Sequence, residues 1–139
     1  MVQLIVGEKG KGKTKHLLDK VNTEVTTISG NIVYLDKSPK HMYELNNKVR
    51  LIDVSDYFID NYNEFMGFVT GIISQDHDLQ QMYFDNFLVL SKGEVSDLEG
   101  MLNKLDKISE KFGVDFILSV SRDEKELPEA VKSKIIVSL

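Results

Sequence analysis

Short apolar runs alternate along the chain with longer stretches in which apolar residues recur at helical spacing. Buried strands are expected at residues 2–6, 32–35, 49–52, 81–85, 116–121 and 135–137. Helices are expected at about 13–22, from Asn61 to near Gln75, and at 98–112, with helical turns at 40–45 and 128–132. Strands that alternate with helices predict βαβ units. We therefore expect an α/β fold, a three-layer αβα sandwich around a mostly parallel sheet of about five to six strands.

Local signals mark where two of the helices begin and end. Asn61 followed by Glu64 is typical of a helix start. Ser96 and Glu99 have the spacing of a capping box, and Gly113 suits the end of the helix that follows. The chain between the strand at 81–85 and this capped helix, residues 86–95, is then expected to be a connection.

Composition and charge narrow the class of protein. The chain has 139 residues, of which 42% are hydrophobic and 28% charged, which fits one globular domain over residues 1–139. No apolar stretch approaches the roughly 20 residues of a membrane span. The absence of cysteine excludes disulfides, cysteine-based zinc sites and thiol catalysis. The first residues run directly into a strand without a signal-peptide pattern, so we expect a cytoplasmic protein.

The net charge of −5 makes nucleic acid an unexpected partner, because nucleic-acid-binding domains carry a basic footprint. Only Arg50 and Arg122 are arginines, so bidentate contacts to phosphates or bases have few candidates.

The segment between the first strand and the first helix has the strongest chemical signal. It fits the Walker A pattern G-x-x-x-x-G-K-[ST] and consists of Gly7, Glu8, Lys9, Gly10, Lys11, Gly12, Lys13 and Thr14, followed by Lys15. Backbone N–H groups of such a loop form a nest for phosphate oxygens, and the helix adds its own unpaired N–H groups. Lys13 is expected to reach the β- and γ-phosphates, and the Thr14 hydroxyl to bind Mg²⁺.

Acids and hydroxyls follow several of the other strands. Asp36, Asp53, Asp85 and residues 119–122 would meet at the sheet edge where ligands bind in parallel sheets. Asp85 is the strongest candidate, because an apolar strand that ends in aspartate is the Walker B pattern of a Mg²⁺ ligand. A second placement puts the strand at residues 87–90 and Asp85 on the opposite edge; the first placement is favoured.

Asn86 stands where many ATPases have a glutamate that activates the attacking water. An amide can position a water but cannot accept its proton, so fast hydrolysis would need another acid. Asp36, Asp53 and Glu94 are the candidates, although strand-end aspartates are also typical of turns.

The strand end at residues 119–122 supplies the remaining catalytic candidates. Ser119 is placed to sense the γ-phosphate, and Arg122 to contact phosphate in its own or a neighbouring site. An ion pair of Arg122 with Asp123 or Glu124 is an equal alternative. The predicted catalytic set is Lys13, Asp85, Asn86, Ser119 and Arg122, and the predicted metal ligands are Thr14 and Asp85.

Histidine and aromatic residues add less. His41 and His77 show no metal-ligand spacing, and His16 is expected on the helix surface rather than beside the ribose or base. Six phenylalanines are expected in the core, namely Phe65, Phe68, Phe84, Phe87, Phe112 and Phe116. For Tyr57, Phe58 and Tyr62, both a core position and a partner-binding surface stay open.

Taken together, residues 7–14, Asp85 and the strand end at 119–121 resemble the P-loop NTPase superfamily. The pattern is similar to its RecA-like and AAA-type division, in which an extra strand lies between the Walker A and Walker B strands. The chain is also similar to small bacterial ATP-binding proteins, some labelled twitching-motility ATPases by analogy. True pilus motors have a further domain and histidine and acidic boxes that are absent here. The missing glutamate at Asn86 is the main departure.

These features favour a Mg²⁺-dependent ATP-binding protein with slow or partner-stimulated hydrolysis, acting as a switch or assembly component. A nucleotide-binding module without turnover and, less favoured, a small-molecule or nucleotide kinase are the alternatives. ATP is preferred over GTP because no guanine-specific Asn-Lys-x-Asp stretch is present. The expected partners are the nucleotide and a protein, either another chain or a second copy of this one.

Overall fold

The computed structural model describes residues 1–139 and contains six strands and four α-helices. The strands are β1 Val2–Val6, β2 Asn31–Asp36, β3 Val49–Asp53, β4 Leu79–Phe84, β5 Asp115–Val120 and β6 Ile135–Ser138. The helices are α1 Lys13–Glu24, α2 Tyr62–Ser74, α3 Phe87–Ser91 and α4 Leu98–Phe112. Short 3-10 helices lie at Met42–Glu44, Val54–Tyr57, Val95–Asp97, Glu124–Glu126 and Glu129–Lys134.

All six strands form one parallel sheet in the order β3-β2-β4-β5-β1-β6. The predicted parallel α/β sandwich is therefore confirmed. β5 lies between β1, which precedes the Walker A loop, and β4, which precedes Asp85. This is the arrangement that the RecA-like resemblance implies. Because the strands are parallel, the residues after β1, β2, β4 and β5 meet at one edge of the sheet.

Helices cover both faces of the sheet. On one face α1 packs Leu17 and Val21 against buried strand residues that include Ile5, Tyr34 and Ile117. The opposite face, under α2, α3 and α4, holds the larger core of 27 buried residues. Apolar side chains on both faces of the central strands explain why these strands are near-continuous hydrophobic runs in the sequence.

Four aromatic rings fill the centre of the larger core. The rings of Phe65, Phe84, Phe87 and Phe116 contact one another with centroids 5.4–5.9 Å apart, and all four side chains are fully buried. Edge-to-face pairs at these distances stabilise a core beyond the area that they bury. The expected core positions of these four residues are confirmed.

Residues 86–95 are not the plain connection that the sequence favoured, because they contain helix α3. The competing strand at residues 87–90 is also wrong. A run of four apolar residues does not distinguish a strand from a buried helical turn by periodicity. β4 ends at Phe84, so Asp85 lies at the favoured sheet edge.

Two further expectations around α4 are corrected. The capping box lies two residues earlier than predicted: it pairs Glu94 with Asp97, whose carboxylate accepts the Glu94 N–H at 2.9 Å, rather than Ser96 with Glu99. Phe112, expected in the core, is 52% exposed and lies under the Lys111 ammonium.

Two other local predictions are confirmed. The Asn61 side chain caps α2, and Gly113 ends α4 with φ of 69°.

Phe68, which was expected in the core, is only partly buried, against the larger core. Tyr57, Phe58 and Tyr62 are exposed. None of the helices combines the length and apolarity that a membrane crossing requires.

Candidate nucleotide-binding site

The loop at residues 7–14, which fits the Walker A pattern, leaves β1 and enters α1 through two glycines in left-handed conformations. Gly10 has φ of 86° and Gly12 has φ of 92°. L-residues with a β-carbon are strained there, so glycine is required at both positions by conformation rather than by space. These two turns produce the concave loop that the pattern predicts.

Several backbone donors of the loop have no protein partner. The N–H groups of Gly10 and Gly12 donate to no backbone or side-chain acceptor in the chain. No side chain caps the N-terminus of α1, where Lys13 and Thr14 supply further orphan donors. A cluster of unpaired N–H groups at the positive end of a helix is a binding site for anions.

Lys13 is held over this loop with little contact to solvent. Lys13 is only 7% exposed, and its Nζ donates to the Glu8 carbonyl at 2.9 Å. Burial lowers the pKa of Lys13, while the nearby Asp85 opposes that shift. A neutral carbonyl is a weak partner for a desolvated ammonium, and an anionic oxygen would bind it more strongly.

Asp85 and Thr14, the two predicted metal ligands, lie in direct contact. Thr14 Oγ1 donates to Asp85 Oδ1 at 3.1 Å, and the Asp85 N–H donates to the Leu35 carbonyl at 2.9 Å. Asp85 is 7% exposed. The two residues are far apart in the sequence, and the strand order brings them together.

Tyr34 is part of this site but was not identified from the sequence, where it was only one residue of an apolar strand. Its hydroxyl donates to Asp85 Oδ2 at 2.9 Å. Burial, together with the Asp85 carboxylate, raises the pKa of Tyr34 well above its ordinary value. The phenol therefore stays a hydrogen-bond donor at neutral pH and holds the carboxylate in place.

Asn86 and Ser119 are joined at the neighbouring strand ends. Asn86 has φ of 67°, and its backbone N–H donates to Ser119 Oγ at 2.7 Å. Ser119 is 1% exposed. Because its oxygen acts here as the acceptor, the Ser119 hydroxyl proton is still available to a ligand.

These groups surround a cavity of about 270 Å³ whose lining contains no hydrophobic residue. The predicted residues that line it are Lys9, Gly10, Gly12, Lys13, Thr14, Asp85, Asn86 and Ser119. Ser121 and Asp36 also line it, together with Lys37, Lys40 and His41 from the segment after β2. The structure thus collects most of the predicted site residues around one polar space.

Five predicted residues lie outside that lining: Gly7, Glu8, Lys11, Lys15 and Arg122. The Gly7 N–H donates to the Arg122 carbonyl at 3.0 Å, and Glu8 contributes its carbonyl to Lys13. The Arg122 guanidinium donates to the Ser121 carbonyl at 2.8 Å and forms no ion pair with Asp123 or Glu124. A phosphate contact by Arg122 stays a prediction.

Of the three acids considered as substitutes for the missing glutamate, only Asp36 lines the cavity. It is 3% exposed; its Oδ1 accepts the Lys37 N–H at 2.7 Å, while its Oδ2 has no hydrogen-bond partner. Burial and the proximity of Asp85 raise the pKa of Asp36. Asp53 instead binds the N–H and hydroxyl of Ser55, and Glu94 caps the turn before α4.

Comparisons with known proteins support the fold. No protein-family profile matches the chain, and no curated protein matches it significantly. Among 44 matching chains of solved structures is the flagellar accessory protein FlaH from Methanocaldococcus jannaschii, with a TM-score of 0.54 and 16% identity. The match covers 95% of this chain and 65% of FlaH, so the chain spans about two thirds of that protein's length. At this identity the two proteins share a fold, and the function has to be argued from the site.

Proposed function

We propose that this chain binds a nucleoside triphosphate with Mg²⁺, ATP being favoured, and hydrolyses it slowly or on contact with a partner. The observation that supports this most is the contact of Thr14 with Asp85 directly beside the unpaired donors of the loop at residues 7–14. A phosphate site and a hard-cation site are thereby adjacent, as nucleotide–metal binding requires.

The loop supports binding of the phosphates. The loop offers orphan N–H groups, and the Lys13 ammonium lies against it, bonded to the Glu8 carbonyl; together these donors suit phosphate oxygens. Lys9, Lys37 and Lys40 also line the cavity, so its lysines outnumber its two carboxylates. That excess of positive charge suits a ligand with several negative charges.

Thr14 and Asp85 fit a Mg²⁺ ion. Hydroxyl and carboxylate oxygens are the ligands that this cation prefers, and it keeps several waters and phosphate oxygens as its other ligands. The Tyr34 hydroxyl donates a hydrogen bond to the Asp85 carboxylate and so orients it, as outer-sphere donors do in metal sites. When bound, Mg²⁺ neutralises the charge that develops on the phosphates.

Asp36 is the acid that we assign to the attacking water. Asp36 lines the cavity, its Oδ2 has no hydrogen-bond partner, and burial raises its pKa towards that of an effective base at neutral pH. Asn86 is then limited to positioning, and Ser119 is left to sense the γ-phosphate through its free proton.

A module that binds nucleotide without turnover is the second candidate. No arginine lines the cavity, and the Arg122 guanidinium is engaged by its own chain. Arginine supplied by a neighbour is a common source of transition-state stabilisation in phosphoryl transfer, so an isolated chain without it would hydrolyse slowly. A kinase activity is less favoured for the same reason.

Phosphate release from Mg²⁺-ATP by the purified chain tests the proposal. We expect slow release by the wild type, background release by Lys13→Ala, and release about a hundredfold or more slower for Asp36→Asn, as expected for loss of a general base. Asp53→Asn is the matched control, because Asp53 ends the adjacent strand outside the cavity. Equal release by wild type and Lys13→Ala would contradict the enzyme assignment; tight ATP binding without release would favour the binding module.

A further inference from the structure

We infer a second cation site beside the Thr14–Asp85 pair, formed by Asp36, His41 and Asp85, which takes a divalent transition metal such as Mn²⁺ in preference to Mg²⁺. One ligand atom of each of these three residues lies within 4.8 Å of the other two. The ligands come from the end of β2, the turn that follows it, and the end of β4. The sequence placed Asp36 and Asp85 at one sheet edge, but spacing alone gave no sign that His41 joins them.

The Asp36 carboxylate supplies an oxygen that lacks a partner. Asp36 Oδ2 is the one buried side-chain polar atom of the chain without a hydrogen bond. Buried polar atoms are almost always satisfied, and an unmade interaction of a charged group is costly. A bound cation would satisfy this oxygen, while Oδ1 keeps its contact with the Lys37 N–H.

His41 is oriented as metal-binding histidines are. Its side chain is 16% exposed, and its Nδ1 lies 3.0 Å from Glu44 Oε1. Metal-ligating histidines usually donate one ring N–H to a carboxylate, which fixes the tautomer and leaves the other nitrogen to the metal. In the tautomer that donates Nδ1–H to Glu44, Nε2 is the nitrogen left to bind a metal.

The turn that carries His41 is fixed to α1 by Asn22. The Asn22 amide donates to the Glu44 carbonyl at 2.8 Å, and its oxygen accepts the Asn46 N–H at 2.8 Å. The backbone of the turn is thereby held against α1 before any metal binds. Such preorganisation favours a specific site over an incidental meeting of side chains.

The donor set decides which metal fits. One imidazole with two carboxylates suits Mn²⁺, Zn²⁺ and related ions, whereas Mg²⁺ prefers oxygen ligands alone. Metal–ligand distances of about 2.0–2.2 Å place ligand atoms about 3–4 Å apart, so closing the site requires side-chain shifts of about 1 Å.

The site shares Asp85 with the proposed Mg²⁺ site and lies at the acid that we assign to the attacking water. In the metal-bound form Asp36 would be a ligand instead of the general base, and the metal would supply activation of the attacking water by lowering the pKa of a bound water. This catalytic consequence rests on the proposed function, whereas binding of the metal requires no nucleotide.

Mn²⁺ titration of the nucleotide-free chain, followed by the EPR signal of free Mn²⁺, tests the inference. We expect one Mn²⁺ per chain, held more tightly than Mg²⁺ in competition. His41→Ala should weaken binding about tenfold or more, and Glu44→Gln by about tenfold, the usual effect of losing an outer-sphere partner. His77→Ala is the control, because His77 is exposed, precedes β4 and does not line the cavity.

Thr14→Ala separates the two sites. It removes a ligand of the proposed Mg²⁺ site and should leave Mn²⁺ affinity within a few-fold of wild type, whether or not the chain binds ATP. The inference is overturned if no stoichiometric Mn²⁺ binding occurs, if His41→Ala binds like His77→Ala, or if Thr14→Ala loses as much affinity as His41→Ala. Circular dichroism confirms that each variant is folded.

Discussion

At the scale of single residues, the site is built from polar groups that are buried without full compensation. Lys13 has a carbonyl as its acceptor, and Asp36 has one oxygen without a partner. Burial is the main reason that the pKa of Lys13 is lowered and the pKa of Asp36 is raised, and both shifts favour the neutral form. Such groups cost stability in the free protein and are satisfied when a ligand binds.

Asp36→Asn is expected to stabilise the free chain at pH 7. The raised pKa means that the folded state holds the Asp36 proton more tightly than the unfolded state. The stability linked to that proton is present below the unfolded pKa of about 3.9 and is lost as pH rises through the folded pKa. The amide removes this loss and keeps an acceptor for the Lys37 N–H.

Thermal unfolding from pH 3.5 to pH 8, in buffer with a chelator, measures this effect. The Tm of Asp36→Asn should exceed that of the wild type at pH 7, and the difference should vanish at low pH. Asp56→Asn, at an exposed position, should follow the wild type throughout. A variant that is less stable than wild type at pH 7 would contradict the account of Asp36 as an uncompensated buried acid.

The sequence identifies residues of this site when they are contiguous. Residues 7–14 form one local structure, so their spacing alone predicts the loop and the roles of Lys13 and Thr14. His41 lines the same cavity, and Tyr34 lies behind Asp85 outside the lining; both reach Asp85 or Asp36 only through the packing of β2 beside β4. Nothing in their local sequence distinguishes them from a strand tyrosine and a surface histidine.

At the scale of elements, a side-chain cap marks where α2 begins. Asn61 accepts the Glu64 N–H at 2.9 Å, and the Glu64 carboxylate accepts the Asp60 N–H at 2.8 Å. α2 then packs Phe65 and Val69 into the larger core. The cap therefore positions one of the helices that cover the sheet.

Asn61→Ala is expected to lower the free energy of unfolding by about 1 kcal/mol, because it leaves the Glu64 N–H without its acceptor. Urea denaturation measures this change. Asn63→Ala, an exposed substitution within the same helix, should be neutral or slightly stabilising, since alanine favours the helical conformation. Equal losses in both variants would show that the Asn61 side chain contributes nothing specific as a cap.

Elements with a strong local signal were predicted, and those whose identity depends on packing were not. Asn61 marks the start of α2 and Gly113 the end of α4, as expected. α3 is a five-residue apolar helix. Its sequence is equally compatible with a short strand, and only its burial against the sheet identifies it as a helix. The box before α4 uses Glu94 and Asp97 because the chain forms a 3-10 turn at Val95–Asp97 before the α-helix begins.

At the scale of the whole molecule, the parallel strand order produces the site. β5 between β1 and β4 brings the loop, Asp85 and Ser119 to one edge, and β2 beside β4 adds Asp36. Alternation of strands and helices predicted the parallel sheet, and the resemblance to RecA-like proteins implied the inserted strand. The apolar run at residues 49–52 predicted the strand β3, but nothing in the sequence indicated that β3 lies beyond β2 in the sheet. FlaH shares this fold over 95% of the chain at only 16% sequence identity, so two very different sequences form the same architecture.

The central claim is that residues 7–14 bind the phosphates of a nucleotide, and calorimetric titration of the chain with Mg²⁺-ATP tests it most directly. Wild type should bind one nucleotide per chain. Lys13→Ala should weaken binding about ten- to a hundredfold, as expected for loss of hydrogen bonds from a charged group. Lys11→Ala, an exposed lysine of the same loop outside the cavity lining, should remain within a few-fold of wild type. Absence of binding by wild type, or equal affinity of wild type and Lys13→Ala, would contradict the account.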